Sequence, residues 1–211
     1  MIRPFVVIFF FTASVFSGSK DERVSNEIAE HQHLICTAAQ AFGVSPRLAA
    51  SVIYAERALN YNWEDALLDG IFAESGYNSS VGFAQIKVTT AFWIEKEAHD
   101  AQSLYYLGDD VERRFPRSTS RSELIHRLLN DSTNILYCCA YIAMIEQRWE
   151  KAGAFLSEQN KTGIIATLYS LGVIRFDGTE RTPHPNPQMN HFGETAQRFY
   201  DGFALRGEFQ E

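Results

Sequence analysis

A glutamate at position 56 stands where its helix should be apolar. The run from Ser45 to Leu59 opens as a helix: Ser45 can accept hydrogen bonds from the first free amides, and Pro46 at the first helical position gives up no bond that was available. Leu48, Val52, Ala55 and Leu59 recur at three- and four-residue steps and make one face apolar, while Arg47, Ala50, Tyr54 and Arg57 fall opposite. Glu56 lies four positions past Val52 and eight past Leu48, so it belongs to the core-facing stripe. Desolvation disfavours a charged carboxylate and raises its pKa, which makes such a group a proton donor near neutral pH. The plainer alternative is a glutamate at the edge of the stripe, paired with Arg57 or a neighbouring helix. Of the acids that follow within a short distance, Asp65, Asp69 and Glu74 are further candidates.

Other chemistries find less support. There is no Gly-x-Gly-x-x-Gly or phosphate loop, no paired-cysteine zinc spacing and no Gly-x-Ser-x-Gly elbow, so no cofactor is expected. His31 and His33 are two apart and do not share a helix face, and His184 and His191 flank a proline-rich segment without a third ligand; no metal site is expected. Cys36, Cys138 and Cys139 allow one disulfide in an exported chain, Cys36 pairing with either of the other two.

The 211 residues suffice for one well-buried domain, and 45% apolar with 21% charged residues is ordinary globular composition. A formal charge of -7 argues against nucleic acid as the partner. Arg3 followed by the apolar run from Pro4 to Phe16 and the small residues Ser17-Gly18-Ser19 reads as a signal peptide over residues 1–19, too short for a membrane span, so the body is expected to be exported, periplasmic or secreted. Membrane contact is expected only through this leader, if it stays uncleaved. Residues 20–211 then form a single domain. Helices are expected from Asp21 to Ala41, over the Glu56 stretch, briefly at Trp63–Leu68, from Thr89 to Glu97, from Arg121 to Leu129, from Asn134 to Ala152 behind an Asp131-Ser132-Thr133 cap, from Thr162 to Leu171 and from Phe192 to Ala204. The Gly-, Asn- and Ser-containing stretch from Ile71 to Lys87 suits loops or a small hairpin. The fold class is therefore mainly α with at most a small β-hairpin.

The order of motifs across residues 44–172 resembles the lysozyme-like lytic transglycosylases, related to the goose-type lysozymes, which cut bacterial peptidoglycan. The Ser45-Pro46 start leading to Glu56 resembles the helix that carries the family's catalytic glutamate. Ser80-Val81-Gly82-Phe83-Ala84-Gln85-Ile86, with Thr90-Ala91 after it, is similar to the family's glycine-containing loop. Asn134 with Tyr141-Ile142, and Ala166 with Tyr169-Ser170-Leu171-Gly172, match its two later helices. The chain departs from the pattern at Arg57, where serine is usual, at Ala84 in place of methionine and at Ser170 in place of asparagine. The 29 positions between Glu56 and Gln85 suit the goose-type spacing better. Glu74-Ser75-Gly76-Tyr77-Asn78 resembles the family's Glu-Ser-Gly-Phe-Asn literally and offers a rival acid, only 11 positions before Gln85 and without a long buried helix ahead of it. Glu56 is preferred because the chemistry needs a desolvated acid on a rigid element.

The resemblance implies a lysozyme-like helical domain that cleaves the MurNAc–GlcNAc bond of peptidoglycan strands. Glu56 would be general acid and base and the products 1,6-anhydro sugars. It further implies that Ser80, Gly82, Phe83 and Gln85 meet the glycan, Gly82 by letting the main chain come close, and that Tyr169 positions Glu56 or the substrate's acetamido group. Trp63 and Trp93 are candidates to stack on sugar rings. Two alternatives stay open: a muramidase hydrolase using Asp65, Asp69 or Glu74 as second carboxylate, and a non-catalytic glycan-binding or scaffold protein of the same fold.

Overall fold

The computed structural model describes residues 20–59, 79–154, 156–202 and 209. Nine helices and one two-stranded hairpin make up the regular structure among them, so the mainly α expectation holds. In chain order these are α1 (Lys20–Glu30), α2 (Gln32–Phe42), α3 (Pro46–Leu59), β1 (Ser80–Val81), β2 (Ile86–Lys87), α4 (Val88–Ala98), α5 (Asp109–Glu112), α6 (Arg121–Leu128), α7 (Asp131–Lys151), α8 (Lys161–Leu171) and α9 (His191–Asp201). None of the described helices is long and apolar enough to cross a membrane. The leader expected over residues 1–19 and the short helix expected at Trp63–Leu68 both fall outside the described residues.

The centre of the molecule is α3. It touches α1, α2, α7, α8 and α9, and every residue from Leu48 to Ala55 is buried. A single apolar stripe is therefore too narrow a description, because Ala50, Tyr54 and Arg57, expected on a polar face, are buried as well. Small side chains at Ala49, Ala50, Ser51 and Ala55 let neighbouring helices come close, and the Ser51 hydroxyl is satisfied by donating to the Arg47 carbonyl at 2.7 Å. Tyr54 stacks on Phe199 of α9 with ring centroids 3.6 Å apart, and Arg47 lies over the Tyr200 ring and donates to the Tyr200 carbonyl. The second buried axis, α7, has twelve buried residues and ends the core on its far side.

Several boundaries differ from the sequence-based expectation. The stretch from Asp21 to Ala41 is two helices, broken at His31, whose main chain leaves helical geometry and whose Nδ1 bonds the Glu27 carbonyl at 2.8 Å. The same carbonyl also accepts from the His31 amide at 3.2 Å, and the break lets α1 lie on α3 while α2 lies along α7. The long helix α7 begins earlier than expected, at Asp131; its cap is Asn130, whose Oδ1 accepts from the Thr133 amide at 3.0 Å. The last helix likewise starts one residue early, behind Asn190, which accepts from the Gly193 amide at 2.8 Å. Ser120 caps α6 in the same way.

Candidate functional site

Glu56 emerges where α3 leaves the core. It is half-buried and forms one wall of a cleft of ≈ 240 Å³. Ser80 and Gln85 reach the same cleft from the hairpin, Thr90 from α4, Tyr169 and Ser170 from α8, and Phe192 from α9. Residues far apart in the chain are thus gathered around one acid, because α3 runs under the hairpin and against α8 and α9. Among the described residues lining the cleft, Glu56 is the one carboxylate. Asp65, Asp69 and Glu74, and with them Trp63, lie outside the described residues.

The loop that faces Glu56 is held from behind. Asn134, fully buried at the start of α7, donates through Nδ2 to the carbonyls of Val81 (2.7 Å) and Leu128 (2.9 Å) and accepts from the Ala84 amide through Oδ1 (2.7 Å). Three main-chain groups of a tight turn and its neighbour are satisfied by one side chain. Gly82 explains why the turn sits so close: its φ is +77°, and a Cβ there would lie 2.3 Å from the Leu128 carbonyl oxygen and 2.4 Å from Asn134 Nδ2. Its missing side chain faces α7, not the cleft, so the expected role of letting a glycan approach gives way to letting the protein's own helix approach. Gln85 closes the turn with φ +51°, its amide and its Nε2 both donating to the Gly82 carbonyl at 3.1 and 3.0 Å. Tyr169 donates its hydroxyl to the Ala84 carbonyl at 2.9 Å. That proton is spent on the loop, so Tyr169 fixes the position of the loop relative to the acid.

Phe83 does not line the cleft. Its ring is buried behind the loop, stacked on His31 at 3.9 Å with Arg57 on it at 4.4 Å, and the Arg57 Nη1 donates to the Phe83 carbonyl at 3.3 Å. Arg57 in turn holds Glu27 of α1 through Nε at 2.7 Å. The arginine beside the acid is therefore occupied about 100° further round α3, bracing the loop from beneath. The His31 Nε2 lies 3.2 Å from Asp131, and among the described residues no group of three His, Cys, Asp or Glu side chains could hold a metal ion.

Electrostatically the floor of the cleft is dry. Burial pushes the Tyr169 hydroxyl well above its usual range, and the neighbouring Cys138 thiol and Glu56 carboxylate push it further. The Cys138 thiol is raised to about 12, first by burial and also by Glu56, against a lowering contact with Tyr169. Both groups stay neutral at ordinary pH, and the charged side chain that shares the described lining with Glu56 is Lys87. The disulfide expected between Cys36 and Cys138 or Cys139 is not formed: all three are free thiols, Cys36 half-buried and the other two buried on α7. Trp93 packs edge-on against Tyr105 and Tyr141 at 4.8 and 5.7 Å and stays half-buried just outside this cleft. His184 and His191 are exposed.

Lys87 and Phe192 were not singled out by sequence, and Thr90 entered only as part of the loop motif. Phe192 stacks on Tyr169 at 6.5 Å from the first turn of α9, and nothing in the period of that helix says which ring will reach a cleft built by α3 and α8. Lys87 is the extended residue that joins β2 to α4, a place visible only once the hairpin register is known. No protein-family model matches the chain, and no curated protein sequence matches it.

Proposed function

We propose that the chain is a lysozyme-like lytic transglycosylase that cleaves the MurNAc–GlcNAc bond of peptidoglycan, with Glu56 as the acid and base. One observation carries this reading. Among the described residues, one half-buried carboxylate shares an open cleft with Ser170 of α8 and with the hydrogen-bonding side chains of Ser80 and Gln85, on a hairpin braced from behind by Asn134, Tyr169 and Arg57. The order of these residues along the chain adds the resemblance to that family.

The chemistry follows from the parts. Protonated Glu56 gives its proton to the glycosidic oxygen as the bond from that oxygen to C1 breaks and the sugar gains oxocarbenium character. The acetamido oxygen of the muramyl sugar closes on C1 and takes up the charge, so no second carboxylate is required. The 6-hydroxyl then displaces it, passing its proton to the Glu56 carboxylate, which leaves a 1,6-anhydro ring and the acid restored. Ser80, Gln85 and Ser170 would hold the sugar by hydrogen bonds, and Phe192 would cover an apolar edge of the ring. The substrate class implies export, for which the apolar run of residues 4–16 would serve as leader.

Incubation of the purified protein with peptidoglycan, followed by mass spectrometry, tests this. Anhydro-ended fragments are expected, and Glu56→Gln should lower their rate by about 10²–10⁴-fold. Reducing ends would mean a hydrolase with a second acid. Absence of any product would leave a glycan-binding protein, and an undiminished Glu56→Gln would move the role to Glu74.

A further inference from the structure

The cleft does not stop at the acid. Lys87, Thr90, Tyr141 and Tyr169 line both it and a second, larger lobe of ≈ 560 Å³ on the other side of Lys87. Trp93 contributes to one wall, and the opposite rim is the turn that carries Arg175 and Phe176. Two features set this lobe apart. Its described lining includes two cations, Lys87 and Arg175, and no carboxylate, in a chain whose formal charge is -7. Phe176 stands fully exposed at the tip of the turn.

That turn is stiff. Ile174 and Glu180 form an antiparallel bridge, the Arg175 amide donates to the Thr179 carbonyl at 2.7 Å, and Asp177 accepts from the Thr179 amide and hydroxyl. Arg175 Nη1 donates to the Glu180 carbonyl at 2.6 Å, which fixes the guanidinium along the rim. Glu180 is itself held by Arg148 Nε at 2.7 Å and by the Tyr105 hydroxyl at 2.7 Å. An aromatic ring held out in water on a rigid turn, beside a basic hollow, is arranged to cover a ligand that is partly apolar and negatively charged.

We propose that this lobe binds the acidic peptide that hangs from the glycan strand, Lys87 and Arg175 meeting its carboxylates and Phe176 closing over its backbone. The inference rests on the reading of the Glu56 cleft as a glycan site, since continuity between the two lobes is what places the peptide there. Lys87, at their junction, is the residue expected to distinguish strands with free peptide carboxylates from strands without them.

The test is equilibrium binding of the Glu56→Gln protein, which holds strands without cutting them. The probes are native peptide-bearing strands, the same strands with carboxyl groups converted to amides, and strands stripped of peptide. About fivefold tighter binding of native strands than of either other probe is expected at low salt, fading as salt is raised. Adding Lys87→Met should abolish the preference, and adding Phe176→Ser should weaken native strands alone; circular dichroism checks that both variants fold. Equal binding of all three probes, or a preference that survives Lys87→Met, overturns the peptide lobe while leaving the glycan cleft standing. Stripped strands binding as tightly as native ones overturn it too, because the recognised carboxylate would then be the sugar's own. Failure to bind any of the three probes overturns both readings.

Discussion

Gln85 is the only described residue other than glycine with positive φ. A left-handed conformation costs an L-residue roughly 1–2 kcal/mol, and strain of this kind gathers where a side chain is needed at one particular place. Gln85→Gly is therefore expected to leave the melting temperature unchanged or slightly raised, since the relief of strain offsets the extra freedom of the unfolded glycine chain. Glycan cleavage by the same variant should fall at least about tenfold, as expected when one positioned hydrogen-bonding group is lost from a transition state. A loss of stability with activity intact would make Gln85 a purely structural turn residue. Helical phase placed Glu56 among Leu48 and Val52, the order of the later motifs singled it out, and it stands half-buried on the wall of a cleft. Phe83 could not be placed, because its neighbours in the motif do not say which side of a tight turn a ring will take, and here Arg57 and His31 draw it inward.

The device that makes the cleft is the contact between α7 and the hairpin, and it depends on one amide. Asn134→Ala would leave the Ala84 amide and the Val81 and Leu128 carbonyls without partners in a dry interior. Each such group costs about 1–3 kcal/mol, so a loss on the order of 3 kcal/mol is expected by denaturant unfolding after partial relaxation. Asn134→Asp keeps one acceptor but loses both donations and should be little better. Helices were legible where a cap or a glycine marked an end, as at Pro46 and Gly172. They were misjudged where the deciding contact was distant. The break at His31 is one such case, since the ring answers to Phe83 some fifty residues later as well as to Glu27. The role of Asn134 was visible only as a motif letter, since the three groups it binds belong to segments that sequence alone does not bring together.

At the scale of the molecule, Glu180 ties α7, the loop around Tyr105 and the Phe176 turn into one unit. The Arg148 guanidinium holds its carboxyl below the usual carboxylate range, helped by the Tyr105 hydroxyl against the opposing effect of burial. Because the folded pKa is depressed, this contribution to stability is complete above the unfolded-state value and is lost as pH falls through the folded one. Glu180→Gln should therefore lower the melting temperature at neutral pH and flatten its decline below about pH 4, measured by thermal melts across the acid range. The mainly α architecture was legible because capped, periodic segments dominate the chain. The all-round burial of α3 was not, since it results from five helices closing on one.

That central helix also carries a constraint of phase. Successive residues on it differ by about 100° in direction, and this one step sends Glu56 into the cleft and Arg57 toward Glu27 and Phe83. Deleting or inserting a single amino acid between Ser45 and Ala55 would leave helix propensity almost untouched. It would nonetheless rotate the guanidinium into the place that Glu56 holds in the cleft, or strand a negative charge against Glu27. Length variation within this segment is thus forbidden for a reason unrelated to folding of the segment itself, whereas in the turns at Gly153 and Gly178, far from the acid along the chain, it should be borne lightly.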